Sequence, residues 1–474
     1  MALGDALADL WREAGGEPEA LGDIALIDDG PVLPSTFAVD LAATVAVGAS
    51  TLAAARLWHQ RRADPSQPTE EPFPRVTVGS RESAVAFRSE RYLRVPDEDL
   101  GLGDRLTGDY ETGDGWIRLH CNYPDHRAAV LRVLGVGVPD VPAAVRRWSA
   151  GDLEEAVALA GGAAAALRSA KQWTAHPQGV AVAGLPLIGR RRLGDSGPGL
   201  SSAGADRPLA GVRVLDLTRV IAGPVAGRTL AAHGADVLRV GADHLALVPA
   251  LVVDTGFGKR FTHLDLRTPG GVEALRELIA RVDVVLQAFR PGALAARGFG
   301  PDECAALRPG LVYVDISAWG PSGPWRDRRG FDSLVQVACG IADEGRIAAG
   351  DPTGRPRALP AQVLDHATGY LAALGAIQAL RHRQATGGGS HVEVSLARTA
   401  HWFDQLGRVP RGLETPDPTS EAVADLLLTD DTPFGSVTHV RPPGLIDGAA
   451  LRWSGPPHRP GADPPRWLAS ETAS

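Results

Sequence analysis

Two aspartates in this chain each open an Ala-rich stretch with helical spacing. Asp365 stands in Asp365-His-Ala-Thr-Gly369, ahead of Tyr370 and the run LAALGAIQALRHR. A carboxylate at an N-cap or in a first helical turn meets free backbone N–H groups and the positive end of the helix dipole. Both favour its ionised form, and the same groups could steady an oxyanion formed beside them. A plain capping role asks for the same residue type, so the aspartate alone does not separate catalysis from capping. Asp40 opens the other stretch, DLAATVAVGASTLAAARLWHQR, and reads as a structural cap.

The elements that must position Asp365 begin at Pro208. Val212 to Leu217 alternates and is β-branched, which predicts a strand. Ala222-Gly223-Pro224 breaks it, Val225 to His233 has helical spacing, and Ala235 to Val240 predicts a second strand. Strand–helix–strand units of this kind build parallel sheets. The GxGxxG fingerprint is missing.

Downstream of each aspartate the pattern repeats. Asp40 to Arg56 and Asp365 to Arg381 both span 16 positions, and a Leu-Pro pair precedes each, at Leu33-Pro34 and Leu359-Pro360. Val76 to Phe87 and Val392 to Phe403 are both 11 apart. The reading is an internal repeat of helix, variable loop, strand and helix. The first loop, from Ala63, is Pro-rich and acidic; the second is Gly-rich.

The chain has 474 residues, 44% of them hydrophobic, and a net charge of −8. The length predicts two or more domains, and the charge argues against a nucleic-acid surface. Cys121, Cys304 and Cys339 form no CxxC pair, so no metal site is read, and their number fits a reducing compartment. The acidic, amphipathic N-terminus does not read as a signal peptide. The apolar patch at 38–55 carries Asp40 and reads as a buried helix, not a membrane span. A cytoplasmic protein is expected.

Six blocks stand in order: PLAGVRVLDLTRVIAGP from Pro208, GKRFTHLDLRTPGG (258–271), RVDVVLQAFRPGALAARGFG (281–300), LVYVDISAWGPSGPW (311–325), RRGFDSLVQVACG (328–340) and LDHATGYLAALGAIQAL (364–380). Together they resemble the class III CoA-transferase family, which holds formyl-CoA and carnitine-CoA transferases and α-methylacyl-CoA racemases. The resemblance implies an α/β fold: a Rossmann-like CoA-binding domain with a parallel sheet, plus a smaller α+β domain. It implies that Asp365 is the nucleophile of an acyl-CoA:carboxylate CoA-transferase, working through an aspartyl mixed anhydride and an enzyme–CoA thioester. Val220, Ile221 and Ala222 then fall in the loop that meets CoA. Lys259 and Arg260 match a phosphate-binding block, Phe289 and Arg290 match another, and Arg297 adds charge. Coenzyme A and acyl-CoA enter as substrates, with no permanently bound cofactor, and a small carboxylic acid is the partner substrate. Ala288 stands where the family has Asn, and Gly241 where it has an acidic residue.

The order of the pieces departs from the family. Residues 1–95 read as a degenerate copy of the helix–strand–helix joining element, 96–195 as the small substrate-side domain, 196–207 as a linker, 208–403 as the large domain and 404–474 as a C-terminal return and tail, loosely ordered after Pro457. The family's small domain follows its CoA-binding domain; here it precedes it. The expected architecture has the small domain over Asp365 in the same chain and the two copies paired, as a monomeric pseudo-dimer or a homodimer. The alternatives are a racemase-like enzyme and a non-catalytic CoA-binding remnant. Family racemases have a His before the Asp of the block that here reads Gly330-Phe331-Asp332. They also carry a Glu where Tyr123 aligns.

Overall fold

The computed structural model describes residues 1–62, 72–96, 103–197, 199–200 and 206–468. Much of the acidic loop from Ala63 and half of the 196–207 linker fall outside these residues. The strands are β1 (Ile24–Ile27), β2 (Val76–Gly79), β3 (Gly108–Glu111), β4 (Trp116–Leu119), β5 (Ala164–Ala166), β6 (Gly189–Leu193), β7 (Arg213–Leu217), β8 (Asp236–Gly241), β9 (Lys259–His263), β10 (Val284–Gln287), β11 (Val312–Ser317), β12 (Gly389–Ser395), β13 (Leu427–Thr432), β14 (Gly435–Val440) and β15 (Leu445–Ile446).

Seven strands form the large sheet in the order β6-β12-β11-β10-β7-β8-β9. All pair in parallel except β6, which runs antiparallel to β12. Their Val- and Leu-rich sequences suit strands covered on both faces. Counted from β7, the chain builds outward through β8 and β9, then returns to the other side through β10, β11 and β12. The reversal lies between β7 and β10, and in open α/β sheets the crevice at the carboxyl ends beside such a reversal is where ligands bind. The placement of β6 corrects the sequence reading, which ended the small domain at 195. Gly189–Leu193 belongs to the large sheet, and its partner lies far along the chain, so no local pattern announces it.

The helix Val363–Thr386 carries Asp365 in its first turn and is buried along nearly its whole length. The helix Val39–Arg62 packs against it; both have 24 residues. A helix apolar on all sides must be buried, and Val39–Arg62 is indeed covered by protein, although it alone among the described helices is long and apolar enough to cross a membrane. Polar ties join this region to the large one. Arg61 donates to the Pro208 and Ala210 carbonyls at 2.7 and 2.8 Å, and Gln60 to that of Arg381 at 3.3 Å. Phe87 stacks on His366 and Tyr370. After each long helix comes a strand and then another helix, Ser80–Ala86 in one case and Leu396–Gln405 in the other. β2 lies between parallel β1 and antiparallel β15, just as β12 lies between parallel β11 and antiparallel β6.

Between these regions β3, β4 and β5 form an antiparallel sheet backed by helices, with a core of its own around Ile117, Leu119, Val130 and Leu153. This small unit docks on the large sheet beside Phe331. His120 stacks on the Phe331 ring, centroids 3.7 Å apart, and Arg329 pairs with Asp125 at 3.2 Å. Gln178 bridges to the Trp319 carbonyl and the Trp325 N–H at 2.8 and 2.7 Å.

The C-terminal stretch corrects a second expectation. Instead of hanging loose after Pro457, residues 458–468 run along the outer edge of the sheet; 469–474 lie outside the described residues. Asp463 accepts the Phe261 N–H at 2.7 Å, and Trp467 donates to the Leu278 carbonyl at 3.0 Å.

Candidate active site

Asp365 is reached by the loop that follows β7. There Val220 has φ of +73°. A β-branched residue in the left-handed region is strained, at a cost on the order of 1–3 kcal/mol, and such strain persists where surrounding structure imposes it. Immediately after it, the helix Ala222–Ala232 begins with no side-chain cap. Its first N–H, from Ala222, lies toward the Asp365 carboxylate and favours the charged form. Asp365 therefore sits at the N-termini of two helices, its own and this one. The two helices touch through Gly369, where an added Cβ would stand 2.6 Å from the Ala222 carbonyl oxygen. Only a glycine permits that approach.

The N-terminus of the Asp365 helix is capped from a distance. Asp332 accepts the Asp365 N–H at 2.9 Å, and Gln336 donates to the other oxygen of Asp332. Gln336 in turn accepts the Leu359 N–H at 2.8 Å. From the opposite side Glu90 meets His366 at 3.1 Å with both side chains buried.

Electrostatics run against the expectation from the helix ends. Asp365 is 7% exposed. Burial, then the carboxylates of Asp332 and Glu90, raise its pKa well above the ordinary carboxylate range; the Ala222 N–H opposes them and loses. Burial also pushes Asp332 up to about 6. A carboxylate that holds its charge poorly in a dry site gains from passing that charge to an acyl group.

Around the mouth stand Tyr123, His120 and His126 from the small unit and Phe331 from the large one, in mutual ring contact. Burial pulls His120 down to about 3 and His126 to about 4, so both rings are neutral near pH 7. Arg219, half-buried, lies 5.9 Å from the centre of the Tyr123 ring.

The structure gathers Val220, Ile221 and Ala222 at Asp365. Phe289 and Arg290 follow the end of β10, next to β7 in the sheet. Arg290 lines a crevice with Trp325, Arg328 and Arg329 at the seam with the small unit, and Arg297 is exposed on the next turn. Two residues do not join them. Lys259 is buried under the helix Ala222–Ala232, 2.7 Å from both Asp216 and the Pro224 carbonyl, and cannot face a phosphate. Arg260 points to the other face of β9 and is held by Asp236 at 2.9 Å and the Arg466 carbonyl at 2.7 Å. Adjacent strand residues point to opposite faces, so a ligand pair Lys259-Arg260 was never available to one site. Sequence reasoning passed over Asp332, Glu90, Arg219 and Arg239. Only Asp332 carried a visible signal, as the aspartate of the GFD block.

Asp40 takes the corresponding place on its own helix. It accepts the Val32 N–H at 2.7 Å and leaves its other oxygen buried without a partner. Burial pushes its pKa up to about 6. The folded state then keeps a proton that the unfolded chain releases, so this group's contribution to stability falls as pH rises from about 4 to about 6. Asp40→Asn removes that loss. Urea unfolding should find the variant more stable than wild type at pH 8, by up to ~3 kcal/mol, and no more stable at pH 4. An equal difference at both pH values would assign the effect to packing.

Part of the chain is similar to known proteins. Residues 209–407 match the family model CoA-transferase family III. An acyl-CoA transferase of Gibberella moniliformis is 32% identical over 319 residues, covering 62% of this chain and 55% of the relative. The beta subunit of succinyl-CoA–L-malate CoA-transferase from Chloroflexus aurantiacus is 38% identical over 202 residues, 40% of this chain and 49% of its own. The crystal structure of a CAIB/BAIF family protein from Brucella suis is 31% identical and covers 41% of this chain and 54% of that one, with a TM-score of 0.37. The chain spans about half the length of the curated relatives it matches. The likeness to CoA-transferase family III thus runs through residues 209–407, the stretch that carries Asp365.

Proposed function

We propose that the protein is an acyl-CoA:carboxylate CoA-transferase with Asp365 as nucleophile. The observation that carries this reading is the setting of Asp365: a buried carboxylate at two helix N-termini, beside the crevice where the strand order reverses. An Asp365 oxygen attacks the thioester carbonyl carbon, and the C–S bond breaks to give an aspartyl mixed anhydride and CoA thiolate. The thiolate attacks the Asp365 carbonyl of the anhydride, expels the first acid as carboxylate and leaves an aspartyl–CoA thioester. The acceptor carboxylate attacks that thioester, and the thiolate returns to the new acyl carbon, freeing Asp365. Both helix N-termini offer donors to the oxyanions formed on the way. CoA would run in the Rossmann-like crevice, past Val220–Ala222 and Phe289, with Arg290 and Arg297 as candidates for its phosphates. The protein carries no fixed cofactor in this scheme and works in a reducing, cytoplasmic setting.

The test is mass spectrometry after incubation with a panel of CoA thioesters, including succinyl-CoA, because of the relative named for L-malate. A covalent adduct on Asp365 that hydroxylamine releases supports the reading; none with any donor defeats it. The same reading carries an architectural inference. The paired long helices, with their matching flanking strands, descend from a duplicated element that lets one chain supply both halves of the site.

The racemase alternative needs a proton acceptor at the position of Phe331. A phenyl ring stacked on His120 offers none. Incubation of a chiral 2-methylacyl-CoA in deuterated water should give no deuterium at the α-carbon, and incorporation would reinstate a racemase.

A further inference from the structure

β8 carries an arginine in the middle of its apolar run. Arg239 pairs in register with Asp216 on one side and Phe261 on the other, so all three project from one face of the sheet. It is 2% exposed, and its guanidinium lies over the Phe261 ring at 4.7 Å. Asp216 does not satisfy it, because one oxygen is taken by Lys259 and the other by Thr218. Among the described residues Arg239 makes no hydrogen bond or ion pair, and its Nη1 is buried without a partner. An isolated buried cation is expensive and calls for an anion. Arg219 is a second arginine with no ion pair among the described residues. The Tyr123 hydroxyl lies within the electrostatic reach of both arginines and of Asp365.

We propose that Arg239 and Arg219, with the Tyr123 hydroxyl, form a subsite that binds a carboxylate of the substrate acid beside Asp365. This rests on the CoA-transferase reading above and extends it to the recognition of the second substrate. A phosphate of CoA is the poorer occupant: the full pantetheine arm separates the diphosphate from the sulfur, whereas Tyr123 of this subsite lies within the electrostatic reach of Asp365. Two carboxylates qualify, the reacting one of the acceptor and the remote one of a dicarboxylic acid.

The experiment compares wild type with Arg239→Met and Arg219→Met in the full chain. Acetyl-CoA serves as donor and acetate or succinate as acceptor, and succinate binding without CoA is followed by calorimetry. The hydroxylamine-sensitive adduct from acetyl-CoA should survive in both variants. KM for the acid, and the succinate Kd, should rise ~10- to 100-fold, the worth of a charge-assisted hydrogen bond. The melting temperature of Arg239→Met should hold or rise, since an unpaired buried charge is gone. Losses with both acids identify the reacting carboxylate, and a loss with succinate alone identifies the remote one. Unchanged acid binding, with or without a lower melting temperature, overturns the subsite. It does so while leaving the covalent reading to be judged on the wild-type adduct.

Discussion

Asp365→Ala will fold and will not exchange acyl groups. Removing the carboxylate takes away a favourable electrostatic contact with the Ala222 N–H. It also removes a buried charge that the folded state tolerates poorly, so the melting temperature near pH 8 should match or exceed that of wild type. Activity is different in kind. The covalent route needs an oxygen nucleophile, and no other carboxylate can take the place of Asp365: Asp332 spends one oxygen on the Asp365 N–H and the other on Gln336. Exchange should fall to background, and the hydroxylamine-sensitive adduct should vanish. In wild type, the acid limb of the rate profile should lie above the ordinary carboxylate range, because burial raises the pKa and the reaction needs the ionised form. Retention of most activity in the alanine variant would end the mechanism.

Lys259→Met should damage the fold rather than coenzyme binding. Lys259 and Asp216 are a fully buried pair, packed so closely under the helix Ala222–Ala232 that a Cβ on Gly227 would stand 2.7 Å from one and 2.8 Å from the other. Removing the lysine strands Asp216, a change worth roughly 3–5 kcal/mol. A phosphate contact would show the opposite pattern, with weaker CoA binding and an unchanged melting temperature. The double variant Lys259→Met with Asp216→Leu removes both charges and should recover much of the loss. Failure of that rescue, with CoA affinity reduced in every variant that folds, would restore the binding role.

What the sequence disclosed and what it withheld divide along a physical line. Parallel strands such as Arg213–Leu217 announce themselves by local composition, and Asp365 by its place at the start of a long helix. The blocks around them tied both to one family. What stayed hidden depends on partners far along the chain or on which face of a strand a side chain occupies. Lys259 and Arg260 look alike in a strand, yet one lies beneath a helix and the other faces the C-terminal stretch. Asp332 caps a helix that begins 31 residues later, at Val363. The edge strand β6 acquires its meaning only from β12. Arg239 reads as a blemish in an apolar strand until the row from Asp216 to Phe261 is laid out.

The buried contact between Glu90 and His366 has a bearing on how this chain can be altered. The family model matches 209–407, but His366, the neighbour of Asp365, takes its charged partner from outside that stretch, and one long flank of the helix Val363–Thr386 is covered from outside it too. The limits of resemblance are therefore not the limits of cooperative unfolding. A fragment trimmed to 209–407 would present a bare apolar groove to water and should aggregate. A bulky substitution at Ala53, fully buried in the helix Val39–Arg62, should likewise disturb the packing of that helix against Val363–Thr386.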